Sequence, residues 1–221
     1  MPSVLERMHG RHRYGPLLLL VAFSIVFALA APEADWSRAV LALLQGLTLL
    51  LALLTSDLPV RLLRPTAALA ATASIVAAIA ALIGGDEGVA ISRILSGLLL
   101  VAAPPVIAQG VLRRIRAEHG VTIHSVLGVL AIYLQIGMTF AFADGAVDRL
   151  GAHDFLRGEP AAPAADFIYF SFVTLTTTGY GDLVPGSDLA RSVAILEALT
   201  GQIYLVTVVA LLVANLAPRR R

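Results

Sequence analysis

The chain has no cysteine and no lysine among its 221 residues, and only 14% of them are charged. Without Cys there is no disulfide, no thiolate metal site and no Cys nucleophile. The five His residues fall into no metal-ligand spacing such as HExxH. A soluble domain carries about a quarter charged residues. The shortfall, with 58% hydrophobic residues and a mean hydropathy of +0.84, points to lipid as the solvent. All 16 basic residues are Arg, and the net charge of +1 hides an uneven distribution.

Crossing a bilayer core takes about 20 apolar residues in a helix. Five stretches meet or approach that length: 38–55, 66–83, 91–111, 121–143 and 189–217. A shorter one covers 17–31. A seventh, 167–178, is too short to span and predicts a buried or re-entrant helix. The 17–31 stretch follows Arg7, Arg11 and Arg13 and ends in small residues, which also fits a signal peptide. An uncleaved helix is the favoured reading, with Trp36 extending it to an interface. The expected fold is therefore an all-α membrane protein, with six transmembrane helices and one re-entrant helix followed by a loop.

Arg placement orients this layout. With the N terminus inside, the inner segments hold 11 of the 16 Arg residues, and the outer segments hold 11 of the 15 acids, Asp144 and Asp148 among them. The domain reading is a cytoplasmic segment 1–16, a four-helix front domain 17–111, a cytoplasmic linker 112–120, a pore domain 121–217 and a basic anchor 218–221. Both termini are expected in the cytoplasm, and the chain in the plasma membrane.

The run from Asp166 to Asp182 carries the chemistry. Asp166 follows a Pro/Ala-rich loop and stands where an N-cap would. About three helical turns follow, then Gly179, Tyr180 and Gly181. Irregular backbone at membrane depth is tolerated only where it lines a cavity or is buried in protein. Glycines at 179 and 181 take positive φ at little cost, so successive carbonyls can point one way and replace an ion's hydration shell. The helix before them would aim its negative end at the pore centre, which favours a cation.

Thr174, Thr176, Thr177, Thr178, Gly179, Tyr180, Gly181 and Asp182 together resemble the signature of the potassium channel family, T-x-T-T-[VI]-G-Y-G-D. The likeness extends over about 121–215, and the chain resembles six-span prokaryotic members with a two-span pore unit. The resemblance implies that Thr177, Thr178, Gly179 and Tyr180 supply the K+-binding oxygens, the Thr177 hydroxyl included. It implies that Gly181 completes the filter and that Asp182 flanks its outer mouth, with Thr176 in support. One filter per chain, against a ring that needs four, implies a homotetramer. No cofactor is expected beyond K+ as the transported ion, and neither an enzymatic activity nor a nucleic-acid partner.

Three departures qualify the resemblance. Thr178 stands where the family has Val or Ile and adds a hydroxyl behind the filter. Val173 replaces a pore-helix Glu that pairs with the Asp after the filter in some relatives. Tyr169 stands where relatives carry an aromatic donor to that Asp, and reads either as that donor or as an interface aromatic. Finally, a voltage sensor needs an Arg-rich fourth helix, yet 92–109 holds only Arg93, and Pro104-Pro105 should kink it. Little or no voltage dependence is expected.

In the last span Gly201 reads as a hinge or as a packing glycine. Below it Leu205, Val209 and Val213 share a face and could gate by dewetting. Glu197 lies six residues past Arg191, about 9 Å deeper along a helix. As an intramembrane acid it is a functional candidate, tuning the filter from behind or making a structural bond to a hydroxyl. Arg113, Arg114 and Arg116 suit anionic lipid heads or form a plain cytoplasmic anchor. A non-selective cation channel and a potassium uptake transporter are the competing readings. Against them stand the intact Gly-Tyr-Gly, and a single filter-like loop with no inverted repeat.

Overall fold

A computed structural model describes residues 14–56, 58–117, 122–150, 154–159 and 162–216. Among the described residues seven helices follow one another: α1 Tyr14–Ala30, α2 Asp35–Thr55, α3 Val60–Ile83, α4 Gly85–Ala117, α5 Ile123–Leu150, α6 Ala164–Leu175 and α7 Asp188–Leu216. Among the described residues there is no strand, only an isolated bridge between Leu156 and Pro185.

Five helices, α2 to α5 and α7, are long and apolar enough to cross a membrane, which makes this a multi-helix membrane protein. With 17 residues α1 rises about 25 Å, short of a 30 Å core, and α6 has only 12. Large apolar side chains point outward along the bundle, Leu69 at 71% exposure and Leu98 at 63% among them. That is the surface expected of helices solvated by lipid.

Small residues set how closely the helices approach. A Cβ on Gly46 of α2 would lie 2.2 Å from Ser74 Oγ of α3, and Ser74 Oγ donates to Ala42 O at 2.9 Å. Ala39, Ala42, Ala77, Ala78 and Ala81 complete that seam. Gly97 of α4 leaves room for the Phe142 ring of α5, which a Cβ would meet at 2.3 Å. The first four helices thus pack on the last three: α4 lies against α5, and α1 against α2, α5 and α6.

Several helix ends differ from the expected ones. The helix begins at Val60 rather than 66 and runs through Pro65. Only Gly84, φ +71°, separates α3 from α4, so the connection is too tight for the longer loop expected before 91. At its other end α4 continues to Ala117, taking Arg113, Arg114 and Arg116 into its last turn region. Arg113 Nη1 donates to Ser56 O at 3.4 Å. α5 reaches Leu150, so Asp144 and Asp148 are helical residues and not loop acids. Asp144 is fully buried.

Candidate functional site

The short helix α6 sits between α5 and α7. Its N-terminus corrects the Asp166 expectation. Pro163 is the N-cap, with φ −65°, and Asp166 lies in the first turn, where its charge still suits the helix dipole. A distant side chain supplies the missing acceptor: Glu33 Oε1 takes the Ala164 N–H at 2.6 Å, across 131 residues. On the flank, Phe155, Phe167, Phe170 and Ala190 form a buried cluster. The loop before α6 is tied to the loop after the filter by Arg157 N to Val184 O at 2.9 Å and Gly186 N to Phe155 O at 2.7 Å.

Three contacts fix the back of α6. Ser171 Oγ donates to Gly137 O of α5 at 2.7 Å and is in short contact with Glu197 Oε1 of α7. A hydroxyl has one proton, so a carboxyl proton on Glu197 is what allows both contacts to be hydrogen bonds. Asp144 is electrostatically coupled to Glu197, and neither of its oxygens has a hydrogen-bond partner among the described residues. Lower down, Tyr133 Oη donates to Leu175 O at 3.2 Å, and its ring stacks on Tyr204, 5.7 Å between centroids. Tyr204 Oη in turn donates to Val129 O at 2.6 Å. A Cβ on Gly201 would lie 2.2 Å from Leu175 O, so α7 touches the end of α6 backbone to backbone. Whatever else Gly201 does, it has a packing reason to be glycine.

Leu175 ends the helix, and residues 176–182 form an exposed segment that leaves it in a turn at Thr176–Thr177. Positive φ recurs at every second residue: Thr177 +56°, Gly179 +61° and Gly181 +80°. Alternation of this kind turns successive carbonyls to one side. Thr177 is the surprise, because a β-branched residue in this region is a genuine outlier, of the sort that costs about 1–3 kcal/mol and clusters at functional sites. Residue type argues against it, so no sequence signal marks it. The Thr177 and Thr178 N–H groups bond back to Thr174 O and Val173 O, both at 2.9 Å. The extra hydroxyl at Thr178 is not orphaned. It lies 2.8 Å from Thr176 Oγ1, which itself donates to Phe172 O at 2.6 Å.

Beyond the filter, Tyr169 Oη donates to Asp182 Oδ2 at 2.7 Å, and the Tyr169 ring lies parallel to that of Tyr180, 6.4 Å away. The bond from Tyr169 holds the Asp182 carboxylate below its ordinary value, and the same bond pushes the Tyr169 phenol up to about 12. Neither residue lies in a spanning helix. The carboxylate's contribution is present above the ordinary Asp value near pH 4 and is lost as acid titrates its lowered value. The phenol's is present below its ordinary value near pH 10 and is lost as the pH rises toward about 12. Tyr169→Phe is expected to return the Asp182 midpoint upward in a carboxyl 13C NMR titration. An unmoved midpoint would rule the bond out.

Of the proposed gate, Leu205 is exposed, while the side chains of Val209 and Val213 lie outside the described residues, as do 1–13, 118–121 and 217–221.

Residues 128–217 match the model of the ion channel family. A two pore potassium channel b of Oryza sativa subsp. japonica is 44% identical over 66 residues, 30% of this chain and 17% of the relative. Two-pore potassium channel 1 of Arabidopsis thaliana is 35% identical over 78 residues, 35% of this chain and 19% of the relative. The inward rectifier potassium channel Kirbac3.1 of Paramagnetospirillum magnetotacticum is 31% identical over 87 residues, 39% and 28% of the respective lengths. The matched stretches thus span less than a third of these relatives' length. No solved structure matches the chain.

Proposed function

We propose that this chain, whose segment 128–217 carries the pore region of the ion channel family, is one subunit of a potassium-selective channel. The observation that carries the reading is the filter backbone. Five successive residues alternate in the sign of φ from Thr177 to Gly181 and stand exposed on one chain. Backbone carbonyls open to hydrocarbon cost several kcal/mol each. A homotetramer that closes them around K+ removes that cost. The exposed apolar face of α7, with Ile195, Leu199 and Ile203, is then the surface that meets the neighbouring subunits.

In this reading the carbonyls of Thr177, Thr178, Gly179 and Tyr180, with the Thr177 hydroxyl, replace the hydration shell of K+. Gly181 and Asp182 close the outer end, held by Tyr169, while Glu197 braces α6 through Ser171. The layout is six spans and a re-entrant α6, with both termini cytoplasmic in the plasma membrane. The packing of α1 inside the bundle, where Tyr14, Leu17 and Val21 are buried, supports counting it as the first span. The front domain 17–111, the linker 112–120 and the pore domain 121–217 keep the sequence-based limits, although helix α4 extends across the first of them. Leu205, Val209 and Val213 form the gate below Gly201, and Arg113, Arg114 and Arg116 meet anionic lipid heads.

Reconstitution in liposomes with opposed potassium and sodium gradients tests the reading. The expected reversal potential follows potassium. A value that ignores the potassium gradient overturns it, and one midway between the two ions makes the pore a non-selective cation channel. With Arg93 as the single charge in 92–109, current is expected to rise only shallowly with voltage. A steep, multi-charge activation curve would contradict that part.

A further inference from the structure

The front bundle and α6 enclose a cavity of about 190 Å3 at the filter end of the molecule. Its lining changes character along its depth. At the mouth stand Arg38 of α2, Arg93 of α4, Arg149 of α5 and Glu33. Deeper, at about 1.5 Å per helical residue, lie Leu100, Met138, Phe142 and Ile168, with Gln45 as a polar residue among them. The lone Arg93 of the fourth helix is too little for a voltage sensor, yet it stands at the centre of this mouth. Arg38, Arg149 and, with the opposite sign, Glu33 all act on it electrostatically.

The cations at the mouth are incompletely matched. Asp35 takes Arg38 Nη2 at 2.6 Å, but Arg38 Nε is buried without an acceptor. Arg149 Nη1 donates to Gly145 O at 2.9 Å. The carboxylate of Glu33 is drawn toward the Ala164 N–H. Arg93 has no hydrogen bond or ion pair among the described residues. Three half-buried or exposed guanidiniums thus line the mouth beside one lining carboxylate, and with Asp35 pairing Arg38 the cations still outnumber the acids by one. An anionic group completes the set, and the apolar depth suits a hydrocarbon chain. The volume exceeds the roughly 150 Å3 of an apolar cavity that admits benzene, enough for a head and the first methylenes of one chain, but not for a diacyl glycerol.

We propose that this cavity binds a single-chain anionic amphiphile, a long-chain carboxylate, from the leaflet on the filter side, with its head among Arg38, Arg93 and Arg149. Ala164, Ala165, Phe167 and Ile168 of α6 form part of the wall, so the occupant touches the helix that leads into the filter. The proposal rests on the chain spanning a membrane and not on potassium conduction.

Trp36 provides the readout. It is the chain's single Trp, and it lies two residues from Arg38, half-exposed, its ring edge-on to Phe27. The full chain is placed in phosphatidylcholine nanodiscs at about pH 8.5, well above the carboxylate range, and titrated with dibromostearate or its methyl ester. Saturable quenching of Trp36 by the acid is expected, with only a linear background from the ester. Arg93→Gln is expected to raise the half-quenching concentration at least about tenfold, the scale of losing one charged partner in a buried pair. Arg93→Lys, which keeps the charge and controls for folding, is expected to change it by less than about threefold. Arg149→Gln gives a second charge deletion should Arg93→Gln fold poorly. Superimposable curves for the acid on wild type and on the charge-deletion variants overturn the proposal, as does equal quenching by the ester. Displacement of the acid by millimolar inorganic phosphate also overturns it, by making the site one for free anions. The quenching is read whether or not the protein conducts.

Discussion

Gly179→Ala is expected to lower the proposed potassium flux at least about a hundredfold, the effect of roughly 2.7 kcal/mol. A Cβ at this position meets nothing within 4 Å, so the effect is not steric crowding by neighbours. It is conformational. Gly179 has φ +61°, and the left-handed region costs an L-residue about 1–2 kcal/mol. In the proposed ring of four that becomes about 4–8 kcal/mol against the conducting backbone. Thr177 already holds one such position per chain, which leaves less strain to spare. Gly85→Ala is the control. Gly85 also has a positive φ of +70° with open space around it, but it starts α4, away from the filter. Its replacement is expected to lower thermal stability by a similar per-chain amount and to leave flux intact. Liposome flux and thermal unfolding of the two variants, side by side, decide the matter. Equal flux from Gly179→Ala and wild type would mean that the filter backbone is not the conduction path.

Gly201→Ala acts by contact rather than by torsion. Alanine in a helix interior gains about 0.5–1 kcal/mol over glycine. Against that, its Cβ would fall 2.2 Å from Leu175 O and 3.0 Å from both Leu175 C and Leu175 Cδ1. A carbonyl at the end of α6 cannot rotate away, so α7 must move. Overpacking of this kind costs about 1–3 kcal/mol, more than the propensity gain. Because Leu175 precedes the filter directly and its carbonyl also accepts from Tyr133, the shift reaches the filter. A lower unfolding temperature is expected together with loss of potassium flux. A variant more stable than wild type and fully conducting would show that α7 has slack here and would favour Gly201 as a hinge alone.

How far the sequence predicted these features differs from residue to residue, for physical reasons. Hydropathy located all seven helices because lipid imposes a strong compositional demand. It misses their ends by up to seven residues, at the end of α5, since a polar residue in a helix beyond the bilayer core costs little. The positive φ of Gly179 and Gly181 follows from residue type. That of Thr177 does not, because β-branching opposes it and only the surrounding filter over-determines it. The charge of Asp144, just after the apolar stretch 121–143, points to an outer loop, yet it is buried in α5. The distance in sequence from Asp144 to Glu197, and from Tyr133 to Tyr204, leaves no local pattern. Only the packing of α5 on α7 brings them together.

The bond from the Ala164 N–H to Glu33 has a bearing on biogenesis. Its carboxylate emerges from the ribosome 131 residues ahead of the amide it receives. The first helices are thus made before α6, and a fragment beginning at 122 would have to start α6 without its acceptor. Domains complete their folding N-terminal first during synthesis. The segment that joins the first two helices therefore supplies the acceptor at which α6 starts.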